Sequence, residues 1–303
     1  MGATEPQGAA ICEPAVGRLA QLTPQSLAML GELVERSHWN QTFDDWRVFF
    51  TSGTIYVVRG EAGRIVASGA VLPMGESRPG YLAAVTGRGV AWISMILVAP
   101  CCRGRGLGRA VFRQCVEHIR AQGRIAMLDA TPAGEALYRQ FGFDVLWRLT
   151  RWRREAVVAS ATAAEASAAA CDLDSLLELD REALGFSRGA VLRALVERPD
   201  SRCLQHAQAV AVVRSGRTAH HIGPLLATSE AAAVAVLREA AACHAGALLI
   251  DVPDERPLMR QALQDAGFTS QRGFARMALA QARQRVPQGQ THFIHAVAGP
   301  EFA

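Results

Sequence analysis

The residues best suited to chemistry lie in one run, Val98-Ala-Pro-Cys-Cys-Arg-Gly-Arg-Gly-Leu-Gly-Arg-Ala-Val-Phe112. Ahead of it stands Ala91-Trp-Ile-Ser-Met-Ile-Leu-Val98, an apolar segment rich in β-forming residues. After it, Leu107, Val111, Cys115 and Ile119 recur at helical spacing. The pattern predicts strand, Gly-rich turn, helix. Arg103, Gly104, Arg105, Gly106 and Gly108 then fall on the turn and the first helical residues. A helix start carries unpaired N–H groups and the positive end of the macrodipole. Glycines let a ligand approach the backbone, and two arginines add charge. The chemistry is that of an anion site for a phosphate or pyrophosphate.

A phosphate-binding P-loop would need a lysine, and this chain has none. A dinucleotide fingerprint would need Gly-x-Gly-x-x-Gly, whereas Arg109 holds the third glycine's place. Arg103-x-x-Gly106-x-Gly108 after a Val-x-Pro strand end instead resembles the acetyl-CoA motif of the GCN5-related N-acetyltransferase (GNAT) family. Leu128-Asp-Ala-Thr-Pro-Ala-Gly-Glu-Ala-Leu-Tyr-Arg-Gln-Phe-Gly-Phe143 is similar to the later signature of that family. It holds a strand end, a short helix with a tyrosine, and Gly142 as the residue that ends the helix.

That resemblance implies a division of labour. Backbone amides of Ile96, Leu97 and Val98 would hold the pantetheine arm of acetyl-CoA, and Arg103, Gly104, Arg105, Gly106, Leu107 and Gly108 its pyrophosphate. Asp129, Thr131 and Gly134 would flank the coenzyme mouth. Tyr138 would be the general acid, since a phenol with a pKa near 10 can protonate a leaving thiolate; a tyrosine packed in the helix core is the other reading. The base stays open. Many relatives carry a carboxylate on the central strand, but Trp92, Ser94 and Ile96 provide none. A water relay, His38, Asp44 or Asp45, or a residue of the second half such as His295 or Glu301 are the alternatives.

The elements that must position these residues repeat. Gly123-Arg-Ile-Ala-Met-Leu-Asp129 pairs with Gly246-Ala-Leu-Leu-Ile-Asp251, and Gly142-Phe143 with Gly267-Phe268. The second half therefore reads as a divergent copy of the first. Where the first has its glycine run, the second has Thr228-Ser-Glu-Ala-Ala-Ala233; Glu230 would repel a phosphate, and Leu263 takes the place of Tyr138. The expected fold is mixed α/β, with two tandem GNAT-like domains. Each would be a mixed, mostly antiparallel sheet flanked by helices. The expected divisions are a tail at 1–15, a coenzyme-binding domain at 16–154, a divergent domain at 155–285, and a segment at 286–303 packed near the domain cleft. Residues 81–86 read as strand or loop, and the alanine-rich 159–170 as linker or strand.

Composition narrows the classes. The chain has 303 residues, half of them apolar, with a net charge of +4. All 32 basic residues are arginine, and no basic run is interleaved with aromatics, so neither nucleic acid nor tRNA is an expected partner. No basic, apolar leader and no membrane-length apolar run is seen. The seven cysteines show neither Cys-x-x-Cys nor a zinc spacing, so reduced thiols, a cytoplasmic location and no metal are expected. Cys101 and Cys102 read as small loop residues. The expectation is an acetyl-CoA-dependent N-acetyltransferase, monomer or homodimer, acting on a small-molecule or amino-acid-like amine. A non-catalytic acyl-CoA sensor and a transferase of another acyl group are the alternatives.

Overall fold

The computed structural model describes residues 14–75, 89–157, 172–206, 208–281 and 284–303. The expectations for 1–13, 81–86 and 159–170 fall outside these residues.

The first half begins with β1 (Val16–Arg18) and α1 (Pro24–Arg36). Thr23 caps α1 by accepting the Ser26 N–H, and Pro24 costs no bond at the first turn. In α2 (Phe43–Ser52), Asp45 reaches back to the Thr42 N–H at 2.6 Å. Then come β2 (Thr54–Arg59), β3 (Ile65–Pro73), β4 (Val90–Val98), α3 (Leu107–Ala121), β5 (Ile125–Ala130), α4 (Pro132–Arg139) and β6 (Asp144–Arg154). From α1 onward the second half repeats this order with α5 (Leu173–Leu184), α6 (Gly189–Val196), β7 (Arg202–His206), β8 (Ala209–Arg214), β9 (His220–Ala227), α7 (Glu230–Ala242), β10 (Leu248–Pro253), α8 (Pro257–Asp265) and β11 (Thr269–Leu279). A short β12 (Ile294–Ala296) follows.

The two halves share one 12-stranded sheet, in the order β1-β2-β3-β4-β5-β11-β6-β10-β9-β8-β7, with β12 on β9. The order shows a reciprocal exchange. The last strand of the second half, β11, lies antiparallel between β5 and β6, and the last strand of the first half, β6, lies against β10. An Arg–Asp pair locks each exchanged strand. Asp129 of β5 sits opposite Arg276 of β11 and accepts from its Nε and Nη2 at 2.9 and 2.8 Å. Asp251 of β10 sits opposite Arg151 of β6 and accepts from it at 2.8 and 2.7 Å. Both acids are fully buried, so each fork is bidentate and shielded from water.

The sheet separates two layers. One core spans both halves on the face covered by α1, α2, α5 and α6, joining Leu30, Trp46, Phe49 and Trp92 to Leu176, Leu192 and Phe302. The opposite face carries α3, which packs through Val111, Phe112 and Cys115, and α7 and α8, which pack through Val236, Leu237 and Met259. Asn40 stitches the halves again. Its Oδ1 accepts from the Thr218 and Ala219 amides, and its Nδ2 donates to Ala219 O. Cys203 is disulfide-bonded, which corrects the expectation of reduced thiols throughout; Cys101, Cys102, Cys115 and Cys243 are free.

Candidate functional site

The site forms where two parallel strands part. β4 and β5 pair only from Val90↔Ile125 to Trp92↔Met127. Beyond Trp92 a bulge turns β4: Met95 sits at φ 56°, the register to β3 slips, and Ser68 Oγ ties the Met95 carbonyl at 3.0 Å. The facing edges of β4 and β5 are left without a ladder. Ala99 N donates to Val66 O of β3, so by alternation Val98 presents its amide to the opening while Leu97 turns toward β3. Of the expected pantetheine residues, Ile96 and Val98 therefore face the gap, and Leu97 is buried.

The glycine loop stands at the mouth of this gap. Gly104 and Gly106 have φ of 73° and 74°, a left-handed conformation that side-chain-bearing residues resist, and a Cβ on either would meet nothing within 4 Å. The turn thus needs glycine for its backbone and leaves open space above it. The first bond of α3 runs from Ala110 N to Gly106 O, so the amides of Leu107, Gly108 and Arg109 point outward from the helix start. Gly108 brings that helix against the strand end, where its Cβ would touch Val98 at 3.4 Å. Arg103 caps the Val98 carbonyl through Nε at 3.3 Å, and Arg103 and Arg105 are both exposed at the rim.

Inside, the gap opens into a cavity walled by both halves. Ile93, Ser94, Met95 and Ile96 come from β4, Leu128 and Asp129 from β5, and Thr131 and Tyr138 from α4 and its cap. Trp39 and Gln41 lie on the loop before α2. Arg151, Arg272 and Phe274 come from the exchanged strands, and Pro300 and Glu301 from the segment after β12. Thr131 caps α4 by accepting the Gly134 N–H. Gly134 makes room for the tyrosine, since a Cβ there would lie 2.9 Å from the Tyr138 ring. Tyr138 stacks on Phe112 at 4.3 Å, and burial pushes its phenol above the ordinary value of 10. It stays protonated, farther from a thiol's pKa than a free phenol would be.

The other candidates differ in place and partners. Both Asp129 oxygens are taken by Arg276, whose guanidinium lies between Trp92 and Trp147 at 4.8 and 4.3 Å; Asp129 is a strut in the cavity wall. His38 is exposed in a neighbouring pocket that shares Arg151 and Arg272 with the cavity, Asp44 is exposed outside the lining, and Asp45 caps α2 and pairs with Arg198 at 2.9 Å. His295 is buried beneath β9, facing Ala227 O, with burial pushing its pKa down to about 4. Glu301 alone of the acid–base alternatives to Tyr138 reaches the cavity.

The corresponding place in the second half is filled. Ser229 caps α7 and Glu230 accepts the Met259 N–H, occupying the helix start with the chain's own groups. β9 and β10 pair from His220↔Leu248 to Ile222↔Ile250 and then part, as β4 and β5 do. Here β12 pairs with β9 and Val297 N donates to Asp251 O of β10, so the chain itself bridges the gap. Leu263, at the Tyr138 position, is fully buried. Sequence reasoning found the divergent loop but not this internal strand, whose partners lie about 70 residues away in the chain. No group of side chains among the described residues is arranged to hold a metal ion, and no helix among them is long and apolar enough to cross a membrane.

The comparisons with known proteins agree with this geometry. A model described as the acetyltransferase (GNAT) family matches residues 24–143, and one described as an acetyltransferase (GNAT) domain matches 176–292. A candidate acetyltransferase from Pyrococcus horikoshii shares the fold over 99% of this chain and 100% of its own, with TM-score 0.71 and 18% identity. A tandem GNAT protein from the clavulanic acid biosynthesis pathway aligns over 88% of this chain and 98% of its own, with TM-score 0.53 and 15% identity. A GCN5-related N-acetyltransferase from Kribbella flavida aligns over 88% and 71%, with TM-score 0.51 and 20% identity. None of the curated proteins matches this chain in sequence.

Proposed function

This chain belongs to the GNAT acetyltransferase family, with two domains in tandem, and from that premise we propose that it moves an acetyl group from acetyl-CoA to the primary amine of a small molecule. One observation carries the reading. The parted strands β4 and β5 leave unladdered backbone beside the uncapped, glycine-lined start of α3. The pyrophosphate would take the amides of Leu107 and Gly108 with Arg103 and Arg105 at the rim, and the pantetheine arm would add to the free edge of β4 at Ile96 and Val98.

The chemistry follows from that placement. The amine nitrogen bonds to the thioester carbon as the carbonyl π pair moves to oxygen. The oxygen's pair re-forms the carbonyl as the C–S bond breaks, and sulfur takes the C–S pair with a proton from the Tyr138 phenol. The phenolate recovers a proton from the nitrogen of the new amide. Because burial holds Tyr138 protonated, its proton passes as the C–S bond lengthens rather than before. The second half would bind no coenzyme, its gap being held by β12.

Titration calorimetry with acetyl-CoA tests this. The wild type should bind one equivalent at micromolar affinity. Gly106→Glu, which sets a carboxylate where the pyrophosphate would lie, should abolish binding, while Gly106→Asn, which tolerates the left-handed backbone, should retain part of it. No binding by the wild type would sink the reading, and two sites per chain would overturn the claim that the second half is closed.

A further inference from the structure

The first half's central strand carries no acid, yet the cavity holds one carboxylate oxygen with nothing to bind. Two acids line it, Asp129 and Glu301. Asp129 has both oxygens on Arg276. Glu301, only 6% exposed, gives Oε1 to Arg214 at 2.9 Å, while Oε2 is buried without a partner. Three more buried polar atoms in the same cavity lack partners: Gln41 Oε1 and Ser94 Oγ, on residues 7% and 9% exposed, and the donor Arg272 Nε. Unpartnered buried polar atoms are costly, so several in one cavity indicate a ligand that brings N–H donors for the three oxygens and an acceptor for Arg272 Nε. An ammonium group brings three.

We infer that Glu301 is the base that takes the proton from the acceptor's ammonium, and that the second half of the chain exists in part to hold it there; the inference rests on the acetyltransferase reading above. One N–H bond of R–NH3+ breaks, its electron pair staying on nitrogen, and the proton bonds to Glu301 Oε2. The neutral amine then attacks the thioester, and Glu301 later releases its proton to water. Acetyl-CoA and R–NH3+ thus give the amide, the free thiol and one proton.

The second half builds the mount. Arg214 of β8 donates through Nη2 to Glu301 and to Ala298 O, and through Nη1 to Gly223 O and His221 Nδ1. His221 of β9 therefore carries its proton on Nε2, which donates to Asp251 of β10 at 3.0 Å, and Asp251 holds Arg151. The first half grips the same segment. Trp92 Nε1 donates to Pro300 O at 2.9 Å, and Phe302 stacks on Phe49 at 5.2 Å. Gly299 leaves room for the carboxyl, because a Cβ there would lie 2.6 Å from Glu301 Oε1.

Burial and the surrounding charges both act on the Glu301 carboxyl. Facing it or sharing its cavity are Arg214 of β8, Asp45 of α2 with its partner Arg198, Arg151 of β6, Arg272 of β11, and Asp129 of β5. Burial pushes the Glu301 carboxyl above the ordinary range and Asp45 adds to this, while Arg214 and Arg151 pull the other way. A raised carboxyl is the better matched to an ammonium's proton.

The test is the pH dependence of acetyl transfer to glycinamide, benzylamine and an amino sugar, read as free thiol released from acetyl-CoA. In the wild type, kcat/KM should rise with pH through one ionisation that stays put as the amine's own pKa changes. Glu301→Gln keeps an acceptor for Arg214; it should lose that limb and about 100-fold or more in kcat/KM, with acetyl-CoA binding and thermal midpoint near wild type. Glu301→Asp should keep the limb with reduced kcat. Wild-type turnover together with an unchanged profile in Glu301→Gln would overturn the assignment of Glu301 alone. A wild-type limb that moves with the amine would overturn it too, without needing any variant. No turnover by the wild type with any amine would remove both the acetyltransferase reading and this inference.

Discussion

At the scale of single residues, the glycine loop and the cavity wall obey different rules. Gly104 and Gly106 are required by their own backbone angles, a local demand that the run Arg103 to Gly108 already displays in the sequence. Gly134 is required by a neighbour, the Tyr138 ring, and Gly299 both by its own φ of 116° and by the Glu301 carboxyl. Gly134→Ala should therefore lower kcat by displacing Tyr138 while leaving acetyl-CoA binding nearly intact, and separate measurement of binding and turnover checks it. Tyr138→Phe should lower kcat with unchanged coenzyme affinity; unchanged turnover would remove the phenol from the mechanism. Asp129 teaches the converse. It lines the cavity beside the motif, yet what its carboxylate binds is set by the strand register, and that is Arg276, 147 residues on. Glu301 was legible only as one alternative among several, since what distinguishes it is a cavity made by segments far apart in the chain.

At the scale of elements, the strands and helices lie where periodicity and caps put them. Thr23-Pro24, Thr42 with Asp45, and Ser229 are signals read within one turn of the chain. Which strand lies beside which is not such a signal. β6 and β11 are similar alternating strands, each of which suits either neighbour, and an exchanged pairing buries the same faces as an unexchanged one. The two Arg–Asp forks make the exchange specific. Removing one partner leaves a buried charge alone, so Arg276→Ala and Asp251→Ala should each cost about 3–5 kcal/mol, measurable as lowered urea midpoints. Asn40→Ala, which frees several groups at residues 218–219, should cost about 1–3 kcal/mol by the same assay.

At the scale of the whole molecule, one sheet and one shared core couple the halves. Heat should unfold the chain in a single transition, with tryptophan fluorescence and far-ultraviolet dichroism coinciding; two separated transitions would contradict the exchange. Stability should also fall in acid. His221 and His295 are held neutral by burial, each with a pKa pushed down to about 4. In the unfolded chain a histidine takes its proton near pH 6.5, so between pH 6.5 and 4 the unfolded state binds more protons and is favoured. The loss is on the order of 3 kcal/mol per histidine across that window. Calorimetric midpoints at pH 7.5 and 5.0 should show a drop that shrinks in His295→Asn.

The exchanged strands also set a schedule for synthesis. When residue 154 has left the ribosome, every strand native to the first half exists, yet β5 and β6 each lack the neighbour that will lie between them. That neighbour ends at residue 279, so the first half waits, with two open edges, for nearly the rest of the chain. Open edges recruit strands from other chains. Translation that stalls between these points should release a species that joins its own kind, and ribosomes crowded on one message would bring such species together.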